Sequence, residues 1–178
     1  MRDARPQDLG ALFDRLGEAG ARIEIVGNHI RCHGGATLRA TDVTTYPHPG
    51  FPTDLQAQWM TVMSVADGVS MITERIFQDR YLHAAELMRM GAQIRRDGPA
   101  CVVRGVDALS GAPVMASDLR ASAALLIAGL VARGETTIRR VYHIDRGYEE
   151  IEKKLAKIGA DIVREEDRGA AGEASAES

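Results

Sequence analysis

Met90-Gly91-Ala92-Gln93-Ile94 decides the fold, because its pattern occurs three times along the chain. Counted glycine to glycine, Ala19-Gly20-Ala21-Arg22-Ile23 stands 71 residues before it and Ile158-Gly159-Ala160-Asp161-Ile162 stands 68 after it. Each copy follows a helix-like stretch with a leucine near its end: Leu16, Leu87 and Leu155. A glycine just past such a stretch fits the left-handed position after a helix, where a Cβ is penalised. Beyond the glycine the pattern changes to strand-like alternation, as in Ile23-Glu24-Ile25-Val26 and Ile162-Val163. Helix, glycine stop and strand form the repeated unit.

Working outward, two copies agree over a longer stretch. Thr53-Asp54-Leu55-Gln56-Ala57 corresponds to Ser117-Asp118-Leu119-Arg120-Ala121, 64 residues later, and Asp79-Arg80 to Asp145-Arg146, 66 residues later. Between these landmarks lie an apolar helix candidate, a glycine (Gly68, Gly134) and a β-rich run, Val69–Thr73 or Thr136–Val141. Each unit therefore predicts helix, strand, helix, strand, and a hairpin strand where the chain continues. Gly27-Asn28 and Asp97-Gly98 are suitable hairpin turns. The first unit opens directly at a helix from about Pro6 to Ala19, and the third lacks its hairpin partner. The expectation is one α/β domain over residues 1–166, incomplete at its start and part of something longer, with an unpaired sheet edge. Residues 167–178, mostly Gly, Ala, Ser and Glu, are expected to form a disordered tail.

Composition narrows the function. The 178 residues are 45% hydrophobic and 26% charged, which is globular. Three Phe, one Trp and four Tyr make a poor base-stacking platform, and a net charge of −3 gives no field for nucleic acid or anionic membrane. No apolar run approaches the ~20 residues of a membrane span, and the N-terminus lacks the apolar core of a secretory signal. Cys32 and Cys101 make neither a disulfide framework nor a zinc site, and His48 and His143 have no ligand partner at suitable spacing. The expectation is a soluble cytoplasmic protein without metal or other cofactor, binding neither nucleic acid nor membrane.

Anion recognition must then be local. Thr53-Asp54-Leu55-Gln56 has the form of a capping box, with Gln56 reaching back, and Ser117 is expected to cap the equivalent helix. Taken alone, these are only caps. Arg120 is different, because a cation in a helix first turn opposes the dipole and needs a neighbouring carboxylate or anionic ligand. Arg80 and Arg146 follow Asp79 and Asp145, themselves expected helix caps, at equivalent positions. They read either as surface ion pairs or as arginines gathered at one end of the units. The three prolines of Tyr46-Pro47-His48-Pro49-Gly50-Phe51-Pro52 keep that loop stiff, as a rigid connector or as a mount that aims Asp54. Both cysteines are expected to be core or strand residues, and Met60, Met63, Met71, Met88, Met90 and Met115 to be core packing. Ala121–Val131 predicts a buried helix.

Pro49-Gly50-Phe51-Pro52-Thr53-Asp54-Leu55-Gln56-Ala57-Gln58 resembles the UDP-N-acetylglucosamine 1-carboxyvinyltransferases, the enolpyruvyl transferases of peptidoglycan synthesis. So do Leu109-Ser110-Gly111-Ala112, Ala116–Ser122 and Tyr142-His143-Ile144-Asp145-Arg146-Gly147-Tyr148-Glu149. The likeness runs from about residue 7 to 165, and enolpyruvylshikimate phosphate synthases share the fold but not this combination of motifs. The resemblance implies an enolpyruvyl-transferase-type α/β domain of repeated βαβαββ units, an inside-out α/β barrel with its first unit truncated. It further implies a two-domain enzyme whose cleft joins phosphoenolpyruvate to the 3-hydroxyl of UDP-N-acetylglucosamine and releases phosphate.

By their places in the motifs, Asp54 resembles the carboxylate at the 3-hydroxyl, and Ile76 a backbone contact to the nucleotide sugar. Arg146 resembles an arginine that binds phosphoenolpyruvate, Asp118 and Arg120 the pair beside the reacting centre, and Arg80 another active-site arginine. Carboxylates near one reacting atom and arginines near a departing phosphate suit this chemistry. Asp54 at a helix N-terminus serves either as base, once the cleft is dehydrated, or as an orienter of the hydroxyl. The general acid of such enzymes belongs to the other domain, supplied on the same or another chain, and neither cysteine stands in its motif. The isolated chain is therefore expected to be catalytically silent. The alternatives are a stand-alone nucleotide-sugar-binding domain without chemistry, and an enolpyruvyl transferase of different acceptor specificity.

Overall fold

A computed structural model describes residues 3–33 and 37–165. The chain divides into two compact units, one ending at Gly147 and one beginning at Tyr148. The expected tail lies outside the described residues.

In the first unit, a 3₁₀ turn at Pro6–Leu9 leads into α1, Gly10–Glu18. Strands β1, Arg22–Val26, and β2, His29–His33, then pair as an antiparallel hairpin around Gly27-Asn28. The central portion carries a complete repeat. It runs β3 (Val43–Thr44), α2 (Gln56–Met63), β4 (Val69–Thr73), α3 (Leu82–Arg89), β5 (Gln93–Asp97) and β6 (Ala100–Arg104). This is the expected βαβαββ order. Its four strands lie in the order β3-β4-β6-β5, with β3 parallel to β4 and the other pairings antiparallel. Next come β7, Pro113–Met115, the thirteen-residue α4, Leu119–Val131, and β8, Thr137–Arg139, which pairs parallel with β7. A short α5, Tyr142–Asp145, closes the unit. The second unit contains α6, Ile151–Ala156.

The three repeat glycines are left-handed, with φ of 95° at Gly20, 90° at Gly91 and 99° at Gly159. A side chain there would be strained, as the C′ position requires. Three local expectations need correction. The second hairpin turns on Gly98-Pro99, since Asp97 still pairs with Ala100. Strand β8 stops at Arg139 because Arg140 turns to φ 61°. Ile162-Val163 forms no strand, because no strand among the described residues pairs with it.

The core lies around α2 and α4. Trp59, Met60 and Met63 of the first and Ala124, Leu125 and Ala128 of the second are buried. The small residues of α4 let the two helix backbones approach, so that Thr61 Oγ1 lies 3.2 Å from Ala124 O. Cys101 is buried in β6, and burial pushes its thiol up to about 11. Cys32, by contrast, is exposed, near the end of β2. Met71, Met88 and Met115 are likewise about half exposed rather than core residues, since they occupy outward positions of β4, α3 and β7. Leu109–Ala112 serves the backbone: a Cβ on Gly111 would stand 2.2 Å from Glu135 O, while Gly111 N–H donates to Arg133 O.

His83, on α3, is only 2% exposed and its Nε2 has no hydrogen-bond partner. Burial lowers its imidazole to about 4, against a weaker opposing pull from Asp118. As pH falls from about 6.5 towards 4, the unfolded chain gains a proton that the folded chain refuses. Stability is therefore lost across that window, by about 1.5 kcal/mol between pH 6.5 and 5. Urea unfolding at those two pH values should show a smaller loss for His83→Leu than for the parent chain. Equal losses would refute the assignment.

Candidate active site

Two structurally equivalent helices build the site. The 64-residue repeat makes α2 and α4 counterparts, and they pack side by side, with Thr61 meeting Ala124 along their lengths and Asp54 meeting Arg120 at their starts. Asp54 lies in the 3₁₀ turn Thr53–Leu55 that leads into α2, and Arg120 is the second residue of α4. Arg120 Nε donates to Asp54 Oδ1. Arg80 Nη1 approaches the same oxygen at 3.9 Å and lies 3.4 Å from Thr53 Oγ1. The Arg80 guanidinium carbon also stacks over the Phe77 ring, 3.9 Å from its centroid. The side chain of Asp54 is 61% exposed, while those of Arg80 and Arg120 are 24% and 33% exposed. Exposed pairs of this kind contribute little to stability, about 0–1 kcal/mol each. What the grouping does provide is charge: two guanidinium groups share one carboxylate, leaving positive charge for an anion at an accessible surface.

Asp118 caps α4, accepting from the N–H groups of Arg120 at 2.7 Å and Ala121 at 2.9 Å. The cap is thus Asp118 rather than Ser117. Its bond to the Arg120 backbone fixes the turn from which the Arg120 side chain reaches Asp54. The expected capping box at Thr53 does not form. The Thr53 hydroxyl donates instead to Glu74 Oε2 at 2.9 Å, and Gln56 is fully buried with its amide unpaired. Nor do Asp79 and Asp145 cap helices. Asp79 pairs with Arg96 at 2.8 Å, two residues before the Tyr81 cap of α3, and Asp145 is the last residue of α5.

The proline loop is a closed turn. Tyr46 N–H donates to Phe51 O, Gly50 N–H donates to Pro47 O, and the His48–Pro49 peptide is cis. Phe51 is buried edge-on against Trp59, 5.6 Å between ring centroids. That anchor stands three residues before Asp54, so the loop acts as a mount for the carboxylate.

The residue missed from sequence is Glu74. Its carboxylate is fully buried at the end of β4. Oε1 accepts from Thr45 Oγ1 at 2.6 Å, Ile76 N–H at 2.7 Å and Phe77 N–H at 3.0 Å. Period-two alternation through Ser70 and Ile72 places Glu74 on the inward face, and this was the available signal. Ile76 is thereby held at the site, 37% exposed.

The structure thus joins Asp54, Arg80 and Arg120 directly, Asp118 through the Arg120 backbone, and Ile76 through Glu74. Arg146 is exposed at the end of α5, and no hydrogen bond or ion pair among the described residues links it to the cluster. Its neighbour Gly147 lies against Leu119, the first residue of α4; a Cβ there would stand 3.0 Å from Leu119 Cδ2. Arg146 therefore stands at the α4 end that carries Asp118 and Arg120.

Residues 2–155 match the family EPSP synthase (3-phosphoshikimate 1-carboxyvinyltransferase). Among curated relatives, proteins named UDP-N-acetylglucosamine 1-carboxyvinyltransferase from Desulfosudis oleivorans and Acidiphilium cryptum are each 57% identical, over 91% and 92% of this chain. The chain spans 39% of the length of each. The crystal structure of the enolpyruvyl transferase NikO from Streptomyces tendae is similar at 31% identity and TM-score 0.78, over 86% of this chain and 36% of that one. EPSP synthase from Acinetobacter baumannii, 21% identical with TM-score 0.67 over 89% of this chain and 37% of that one, shares the mixed α/β fold. Matched by the family model over residues 2–155, the chain belongs to the EPSP synthase (3-phosphoshikimate 1-carboxyvinyltransferase) family.

Proposed function

We propose that this chain supplies one of two domains of an enzyme that transfers the enolpyruvyl group of phosphoenolpyruvate to the 3-hydroxyl of UDP-N-acetylglucosamine. The observation that carries the proposal is Asp54 held between Arg80 and Arg120 at an exposed surface. Asp54 meets the 3-hydroxyl; its contacts to both arginines are through Oδ1, which leaves Oδ2 as the acceptor for that proton. The sugar oxygen bonds to the carbon that loses phosphate, and the arginines counter the charge building on the departing group. Arg120, oriented by the Asp118 cap, serves the reacting centre, and Arg80 and Arg146 bind the anionic substrate. Ile76, its N–H already given to Glu74, offers its carbonyl oxygen to a donor on the nucleotide sugar.

The names of the curated relatives support UDP-N-acetylglucosamine as acceptor, and with it a cytoplasmic place in peptidoglycan and cell-wall synthesis, cell shape and cell division. The repeats then belong to an enolpyruvyl-transferase domain of the inside-out α/β barrel type; the complete βαβαββ order of the central repeat supports this architecture. The other domain, in cis or in trans, carries the general acid, so the chain alone turns over no substrate. Calorimetry on the chain joined to that domain tests the acceptor. Heat of binding with UDP-N-acetylglucosamine and none with shikimate 3-phosphate is expected, and the reverse preference would reject the proposal.

A further inference from the structure

We propose that Glu74 is a positioning residue for this site, setting the hydroxyl of Thr53 so that Asp54 and Arg80 are held in one geometry. Four donors converge on its buried carboxylate, and two of them come from hydroxyls that accept another bond in turn. Thr45 Oγ1 accepts from Arg75 N–H at 2.9 Å, and Thr53 Oγ1 lies 3.4 Å from Arg80 Nη1. Each hydroxyl has one proton. With that proton directed at Glu74, the oxygen of Thr53 turns its lone pairs outward, where Arg80 approaches one of them. Glu74 thus governs both sides of the cluster: Thr53 directly precedes Asp54, and Phe77, held by its N–H, underlies the Arg80 guanidinium.

Among the described residues this arrangement is found in the central repeat and not in the one that follows it. The 66-residue offset that relates Arg80 to Arg146 puts Arg140 in the place of Glu74. Arg140 has a left-handed backbone, and its Nε donates outward to Tyr142 Oη at 2.9 Å. The central repeat therefore has a carboxylate mount where its neighbour has an exposed cation.

Glu74→Gln tests the polarity of the bond. Its amide oxygen can still accept from Thr45, Ile76 and Phe77, but its NH₂ must donate to Thr53 Oγ1, which turns the hydroxyl proton away from residue 74 and removes the orientation that offers a lone pair to Arg80. In the two-domain transferase, kcat is expected to fall 10- to 100-fold while KM for the nucleotide sugar stays within threefold, because the Ile76 loop is kept. Thr53→Val should do the same, and the double variant should be no worse than either single one, since both cut the same link. Glu74→Gln activity within twofold of the parent, or additive losses, would overturn the proposal. Should Glu74→Gln fail to fold, Thr53→Val decides alone, by the same threefold KM and tenfold kcat criteria.

The catalytic consequence rests on the proposed enolpyruvyl transfer, but the geometry is read separately by NMR of the Asp54 carboxyl carbon and the Arg80 side-chain N–H. Both signals should move in the two variants. Unmoved signals would refute the positioning role even if the parent protein proved to catalyse a different reaction. An inactive parent with moved signals would instead count against the reaction and for the role.

Discussion

In the proposed two-domain transferase, Asp54→Asn is expected to lower kcat by about 10³ and to change the dissociation constant for the nucleotide sugar by less than about fivefold. Asparagine keeps the size of the group and an oxygen that can accept a hydrogen bond, so the hydroxyl is still held. It cannot take up the hydroxyl proton, and correctly placed proton acceptors contribute about 10²–10⁴ in rate. The substitution also removes the negative charge that Arg80 and Arg120 share, so the anionic substrate should bind as tightly as before or more tightly. Steady-state kinetics with both substrates varied checks the expectation. A loss below tenfold would assign Asp54 to orienting the hydroxyl and leave the proton to another group.

Arg120→Ala is expected to lower kcat/KM for phosphoenolpyruvate by about 10²–10³, the scale seen when one preorganised group at a developing charge is removed. The local reason is that Arg120 has two tasks. In the proposed reaction it counters charge at the reacting centre, and in the structure its Nε bonds to Asp54 across the boundary between two repeats. Arg120→Lys restores the charge but not the fork of donors, and should recover only part of the loss. Full recovery by lysine would mean that charge alone matters and that the Nε bond is incidental. The fold should survive both changes, because the pair is exposed and contributes little to stability.

Much of this site was legible as numbers along the chain. The 64-residue offset made Asp54 and Asp118 equivalent, and equivalence put both at helix starts. The unexplained Arg120 in a first turn pointed to a neighbouring carboxylate or an anionic ligand, and Asp54 is such a carboxylate. What the offset could not supply was contact. That α2 and α4 lie against each other depends on burial of both helices on nearly every side, and a helix that is apolar all round has no face to announce its partner. The same burial explains the failed capping box: Gln56 is drawn into the core, and the hydroxyl of Thr53 goes to Glu74, which lies 21 residues further along the chain. A cap expectation considers only neighbours in sequence, so it does not foresee a hydroxyl turned by a carboxylate 21 residues away. Asp79 was displaced in a similar way, by Arg96 on β5. Arg146 was readable as a repeat position but not as a contact, because its helix α5 is short and the arginine itself is exposed.

The central claim is that charged groups of adjacent repeats meet at one surface to move an enolpyruvyl group onto a nucleotide sugar. Phosphate release from phosphoenolpyruvate measures this most directly, using the chain co-expressed with the complementary domain of a UDP-N-acetylglucosamine carboxyvinyltransferase. Steady turnover that requires UDP-N-acetylglucosamine, needs both parts and is lost with Asp54→Asn is the expected result. Turnover that is indifferent to Asp54, or that proceeds with shikimate 3-phosphate and not with the nucleotide sugar, would contradict it.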